Sequence, residues 1–314
     1  MAYLGPEATY THVASLKRFG RSTDLIPANS IPDVFKHVAG GRADFGVVPV
    51  ENSTEGSVHI TLDELIQTDV QVSGEIIMNV SHCVLSKESN LGSIHLVLSH
   101  PQALAQCRSW LAQHVPGAIL LPESSTAAAA QRAAHEEGVA VVGHSLLAEM
   151  YGLDILATAI QDRASNMTRF LILGGRACNR TDNDKTSVLF AVSHQPGGLY
   201  AALQPFAERG INLTKIESRP SKGTPWEYVF FVDLDGHLTE DHVKEALESV
   251  SVRVQSLKIL GSYPKAVRED PASQRVLTSE DNESERHCNH RRKGTHGKVV
   301  CSSVQRSRIS GIDR

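Results

Sequence analysis

Cysteine is scarce in this chain. There are five in 314 residues (Cys83, Cys107, Cys178, Cys288 and Cys301), odd in number, scattered, and without a CxxC pair. That excludes a disulfide framework and points to a reducing compartment, the cytosol. Long apolar runs are missing as well: no window nears the roughly 18 residues of a membrane-spanning helix. The opening MAYLGPEATY has no basic stretch ahead of an apolar one, so a secretory signal is not expected. Positive charge is not in excess; a net charge of −4 argues against a general nucleic-acid binder. What is present is ordinary for a soluble protein, 41% hydrophobic and 21% charged, in a chain long enough for two or three domains.

Three parts separate by pattern. Up to about Gly175, short β-rich runs (DFGVVPV from Asp44, HLVLS from His95, AILLP from Ala118, VAVVG from Val139) alternate with helical stretches (Pro101 to His114, Ser125 to Gly138). Such alternation predicts βαβ units and a largely parallel sheet. Residues 176–185 are short and polar and read as a linker. From 186 to 263 the order is βαββαβ, the ferredoxin-like plan. From residue 264 on there are 11 Lys/Arg against 7 Asp/Glu and no aromatic residue, while the rest of the chain carries 20 against 28. So little apolar surface cannot offset the entropy of ordering, and this basic tail is expected to be disordered. Its run ERHCNHRRKGTH holds one Cys and three His at irregular spacing, a weak metal pattern read as adventitious. No metal or cofactor is expected.

Several motifs occur together in a fixed order: GPEATYTHVA, VPVENSTEG (Val48 to Gly56), SHPQALAQC (Ser99 to Cys107), YGLDILATAIQDRASNMTRFLIL (Tyr151 to Leu173), then GGLYAAL and INLTKIESRP. In these the chain resembles the prephenate dehydratases, over roughly residues 3 to 263. The resemblance implies a two-lobed, periplasmic-binding-protein-like α/β catalytic domain over residues 1–175 and a ferredoxin-like ACT regulatory domain over 186–263. It also implies a lyase that turns prephenate into phenylpyruvate, carbon dioxide and water under feedback by phenylalanine. Two departures stand out: Ala8 and Gly198 replace the family's usual glycine and alanine.

The resemblance makes Thr168 the catalytic residue, a hydroxyl for the departing hydroxide. The same motif places Arg169 and Phe170 at the substrate site. Arg169, of opposite strand parity to Thr168, either touches substrate or braces the strand against an acid, and Phe170 is packing that fixes Thr168. Glu51 and Asn52 end a core strand where α/β sheets open into a crevice; Asn52 is a donor to substrate, Glu51 a proton donor or an orienting group. Ser53 contacts substrate or caps a helix. Ser99 and Thr126 begin helices whose free N–H groups suit a carboxylate, and Gln106 offers an amide. Tyr10 and Thr11 line the opposite wall. His100 reads as structural and Cys107 as buried and inert.

For the second unit the resemblance implies phenylalanine held by Gly197, Gly198, Leu199, Asn212, Leu213, Glu217 and Ser218 at the interface of a homodimer or homotetramer, with no nucleic acid and no membrane. Competing readings are an arogenate dehydratase, whose substrate carries an amino group in place of the keto oxygen, and a non-enzymatic amino-acid or solute-binding sensor.

Overall fold

The computed structural model describes residues 1–163, 165–174, 178–221 and 228–266. Most of the expected basic tail, with its His/Cys run, lies outside these residues, as do positions 176–177 of the expected linker. The start of the tail is built: Lys265 donates its N–H to the Asn183 carbonyl (2.9 Å) and Ala266 donates to Glu75 (3.0 Å), so the folded region runs past residue 263.

The first part is two lobes. In the first, the strands Ala2–Leu4, Ile26–Ala28 and Phe45–Asn52 are parallel to one another, and Met167–Gly174 then Val72–Asn79 follow antiparallel. In the second, Leu96–Ser99 lies parallel to Ile119–Pro122 and Val139–Gly143, while Cys83–Ser86 runs antiparallel to Val139–Gly143 and Asp154–Ala157 antiparallel to Cys83–Ser86. Both sheets are therefore mixed, against the expectation of largely parallel ones. The physical reason is that the chain crosses between lobes twice, and the strand that arrives at each crossing, Cys83–Ser86 or Met167–Gly174, opposes the βαβ direction. The helix predicted over 101–114 is two helices, Pro101–Gln106 and Arg108–His114, broken at Cys107.

The loop after the first strand ties the lobes together. Ala8 stands at φ 61°, which costs an L-residue about 1–2 kcal/mol. Its methyl is buried in the second lobe's core beside Leu147, which offsets about 0.8 kcal/mol of that. The departure from glycine is thus nearly neutral.

The second unit has the predicted order. Strands Asp184–Ala191, Leu213–Pro220, Tyr228–Asp235 and Ser256–Pro264 form one antiparallel sheet with the second and fourth at its edges, and the helices Gly198–Glu208 and Asp241–Ser251 cover one face. The other face belongs to the catalytic part. Leu189, Phe231, Leu260 and Tyr263 share one buried cluster with Val48, Leu171 and Leu173 of the first lobe. The backbones come close at Gly261, where any Cβ would run into the Val72 carbonyl oxygen.

Candidate active site

A cleft of about 640 Å³ opens between the lobes, its wall including Thr54, Glu55, Gln102, Gln106, Arg163 and Asn166. The second crossing contributes Gln161, Asp162, Arg163 and Asn166 to the cleft and is bonded to the first: Val80 N–H to the Asn166 carbonyl (2.8 Å), Ile160 N–H to the His82 carbonyl (3.0 Å), His82 N–H to Gln161 Oε1 (3.0 Å). Asp162 accepts the Ser109 and Trp110 N–H groups at 3.0 and 3.1 Å, capping the helix that begins at Arg108. Glu55 of the first lobe accepts a hydrogen bond from Gln102 of the second across the mouth.

A line of amides runs from the cleft wall inward. Gln106 Oε1 sits 2.9 Å from His82 Nε2 and accepts from Asn166 Nδ2 at 3.1 Å. Asn166 Oδ1 accepts from Asn52 Nδ2 (2.9 Å), which also donates to Thr168 Oγ1 (2.9 Å). Asn52 cannot turn its amide over, because Oδ1 already holds the N–H groups of Thr54 and Glu55 at 2.9 and 3.1 Å. Thr168 therefore receives a hydrogen bond and keeps its own proton, which no described group accepts. Donation to a hydroxyl strengthens that hydroxyl as a donor. Asn166 is in the cleft wall; Asn52 and Thr168 stand one bond behind it.

Strand parity sorts the neighbours. Thr168 pairs with Asn52 and Arg169 with Glu51 across the antiparallel ladder. Residues of the first pair share the cleft-side amide line. Those of the second face the other way, onto the second unit.

In the second unit, Gly197 stands at φ 79° just before the helix Gly198–Glu208, whose first turn has no side-chain cap. A Cβ on Gly198 would meet the Ser193 carbonyl at 2.8 Å, so the alanine usual in the family would require the loop at Ser193 to shift here. Asn212 donates to Asp235 (3.1 Å), Leu213 packs on the unit's core, and Ser218 is exposed.

Comparison with known proteins fits both halves. A family model for prephenate dehydratase matches residues 1–178, and a model for the ACT domain matches 186–252. The chain belongs to the prephenate dehydratase family. A bifunctional chorismate mutase/prephenate dehydratase of Aquifex aeolicus is 48% identical over 270 residues, covering 86% of this chain and 75% of its own. The crystal structure of a prephenate dehydratase from Arthrobacter aurescens in complex with L-Phe superposes with a TM-score of 0.77 at 31% identity, over 92% of this chain and 99% of that one. The structure of GqqA, described as a quorum quenching acylase, has the same architecture (TM-score 0.76, 29% identity, 87% of this chain and 98% of that one). The reaction class is that of a hydro-lyase, and the whole is a dehydratase domain followed by an ACT domain.

The structure assigns the dehydratase's expected site residues unequally. Thr168, Asn52 and Gln106 come together as described. Tyr10 stands beside them: its hydroxyl donates to the Ser81 carbonyl (2.8 Å) and lies 3.3 Å from His82 Nδ1. Burial holds its pKa well above the usual value, so it remains a donor. Ser53 is exposed and splices the two strands, accepting from Met167 N–H (2.9 Å) and donating to the Ser165 carbonyl (3.1 Å).

The structure corrects several of the remaining expected positions, while His100 is structural and Cys107 buried, as expected. Glu51 turns away from the cleft and pairs with Lys215 of the ACT domain at 2.9 Å, because its parity is opposite to that of Asn52. Arg169 braces the strand: it pairs with Glu75 and with Asp233, each at 2.7 Å. Phe170 is 1% exposed, in a core with Tyr3, Val47 and Ile76. Ser99 is fully buried and donates to the Val142 carbonyl at 2.5 Å. Thr11 is buried in the first helix and Thr126 opens a second-lobe helix capped by Ser125; neither belongs to the cleft wall. Glu217 points at the catalytic domain, where Ser57 donates to it. His100 accepts from Gln102 N–H (3.3 Å) as a helix cap. Burial pushes the Cys107 thiol up to about 12.

Asn166, His82 and Arg163 were missed as site residues. Asn166 had a signal, since it lies two residues before Thr168 and shares its parity. Arg163 adds a cation to a cleft meant for a dianion.

The histidines behind the cleft set an acid limit. Burial, then His82 and Lys17, push His144 down to about 4, and burial also lowers His82. A histidine with a depressed folded pKa is neutral in the fold and takes up a proton on unfolding. Stability is then whole above the unfolded value near 6.5 and is lost as pH falls toward 4, by at most about 3 kcal/mol for His144. His144→Asn keeps an acceptor for the Leu146 N–H that His144 Nδ1 now receives at 3.1 Å. Urea unfolding of this variant should lose less stability than wild type between pH 7 and 4.5. Identical pH slopes would remove His144 from this role.

Proposed function

We propose that this chain converts prephenate to phenylpyruvate, carbon dioxide and water, and that phenylalanine bound to its ACT domain inhibits the reaction. The observation that carries the catalytic half is the hydrogen bond from Asn52 to Thr168, with its orientation fixed by the Thr54 and Glu55 amides.

Prephenate is a dianion with one carboxylate on the ring carbon opposite a hydroxyl. When the ring carboxylate leaves as carbon dioxide, its bonding electrons move into the ring and expel the hydroxyl group, which takes up one proton and departs as water. Aromatisation drives the step, so the protein supplies position, electrostatics and that proton's path. Thr168, carrying a free O–H polarised by Asn52, acts on the leaving hydroxyl. The amide groups of Gln106 and Asn166, with Arg163, suit carboxylate recognition in the cleft. Gln106 uses its carbonyl oxygen on His82 and Asn166, which leaves its NH₂ for substrate.

The regulatory half rests on the uncapped helix N-terminus after Gly197, a place for an amino acid's carboxylate. The neighbouring strand Leu213–Pro220 is an edge strand with Thr214, Ile216 and Ser218 exposed, which suits a ligand site completed by a second copy in a homodimer or homotetramer.

The test is phenylpyruvate formation by the full chain from prephenate, with and without added phenylalanine. Turnover that falls as phenylalanine rises is the expected result. Faster turnover of arogenate than of prephenate would reassign the substrate. Phenylalanine binding without turnover of either would make the chain a sensor.

A further inference from the structure

One face of the ACT strand Leu213–Pro220 is fastened to the catalytic domain immediately beyond Asn52. Lys215 Nζ lies 2.9 Å from Glu51 Oε2, 3.2 Å from Ser57 Oγ and 3.2 Å from Glu217 Oε2, and Ser57 donates to Glu217. Glu51 and Ser57 are themselves cross-strand partners in the hairpin made by Phe45–Asn52 and Gly56–Ser57, and Asn52 pairs with Gly56 in the same ladder. Lys215 thus ties together the two strands of the hairpin whose first strand ends in Asn52, the residue that orients Thr168. Four residues on, Arg219 pairs with Asp63 (3.0 Å) and lies 2.7 Å from His59 Nδ1, on the helix that follows the hairpin.

We propose that Lys215 is a positioning residue for the dehydration. It holds the hairpin so that the Asn52 amide stays aimed at Thr168 and Asn166, and it makes that aim depend on where the ACT strand sits. The proposal rests on the reading of the chain as a prephenate dehydratase. The neighbouring groups support position over stability. Glu51 is 40% exposed and Ser57 still donates to the 18%-exposed Glu217 when Lys215 is removed, so the ion pair itself adds little to folding. The same cluster fixes both strands of a hairpin only two residues long on one side, with a Gly56 of φ 84° at its return.

Two consequences separate this role from plain scaffolding. The Asn52–Thr168 bond acts on the leaving group, so its loss should lower kcat and leave KM close to wild type. The ligand strand carries the cluster, so its loss should also weaken inhibition by phenylalanine while phenylalanine still binds.

The experiment uses the full chain with Lys215→Met and Lys215→Arg. In Lys215→Met, kcat on prephenate should fall about ten- to a hundred-fold, the scale of a small misplacement of a reacting group. KM and the thermal midpoint should change little, and phenylalanine should lose most of its inhibitory effect. Lys215→Arg keeps the cation and should recover much of the rate. A measurement without turnover accompanies these: hydrogen exchange at the Thr54 and Glu55 amides, held by Asn52 Oδ1, should quicken at least several-fold in Lys215→Met. Wild-type kcat with unchanged exchange would overturn the proposal. So would a rate loss that Lys215→Arg does not relieve and that tracks a lowered midpoint. If the wild-type chain itself turns over no prephenate, the function reading fails; the exchange measurement still decides whether Lys215 holds the hairpin.

Discussion

Thr168→Ala is expected to lower kcat on prephenate by about 10²- to 10⁴-fold, the usual weight of a group assisting proton transfer. The variant should fold as wild type does. Thr168 is half-buried at a strand end, and removing its hydroxyl frees Asn52 Nδ2 from one of two acceptors while Asn166 Oδ1 still takes the other. Asn52 is itself half-buried, so the N–H that loses Thr168 can turn to water and the stability cost is small. Thr168→Ser retains the hydroxyl and should keep much of the rate. The measurement is steady-state turnover on prephenate for the three proteins, with thermal midpoints as a check on folding. Near-normal turnover in Thr168→Ala would reject the hydroxyl as the group acting on the leaving water. A large loss in both variants would mean that the methyl group, not the hydroxyl, is what matters at this position.

Much of this site was legible one residue at a time, and the failures have a common cause. The opposite parity of Thr168 and Arg169 follows from a strand's two-residue period, and it separated a hydroxyl for the cleft from a cation that could brace. Parity does not say which face is covered by another domain. Glu51 therefore read as a crevice acid, although Lys215, more than 160 residues away by number, faces it. The helix over 101–114 failed for the same kind of reason. Its pattern continues through Cys107, but Asp162 of the second crossing caps Ser109 and Trp110 and starts a new helix there. The βαββαβ order of the ACT domain was readable because each element is local and amphipathic. The mixed character of the two catalytic sheets was not, because it depends on where the chain crosses between lobes, which local pattern does not record.

Arg169→Met is expected to cost about 3–5 kcal/mol of stability, the effect of removing one partner from a buried ion network. Arg169 is 12% exposed and holds Glu75 and Asp233, whose side chains are 2% and 9% exposed. Lys185 remains, 3.0 Å from Glu75 but 3.9 Å from Asp233. Two buried carboxylates would then share one close cation, and Asp233 would be left with the weaker contact. An unpaired buried carboxylate has a folded pKa raised above its unfolded value, since burial disfavours the charged form. Its penalty is full at neutral pH and is relieved as the group protonates on acidification. The stability deficit of Arg169→Met relative to wild type should therefore shrink between pH 7 and pH 5, although wild type itself loses stability over that range through its buried histidines. Urea unfolding of both proteins at the two pH values measures it. A deficit near zero at pH 7 would show that Lys185 alone satisfies both acids. A deficit of the same size at both pH values would show that the lost term is packing of the arginine stem, with the charge network contributing little.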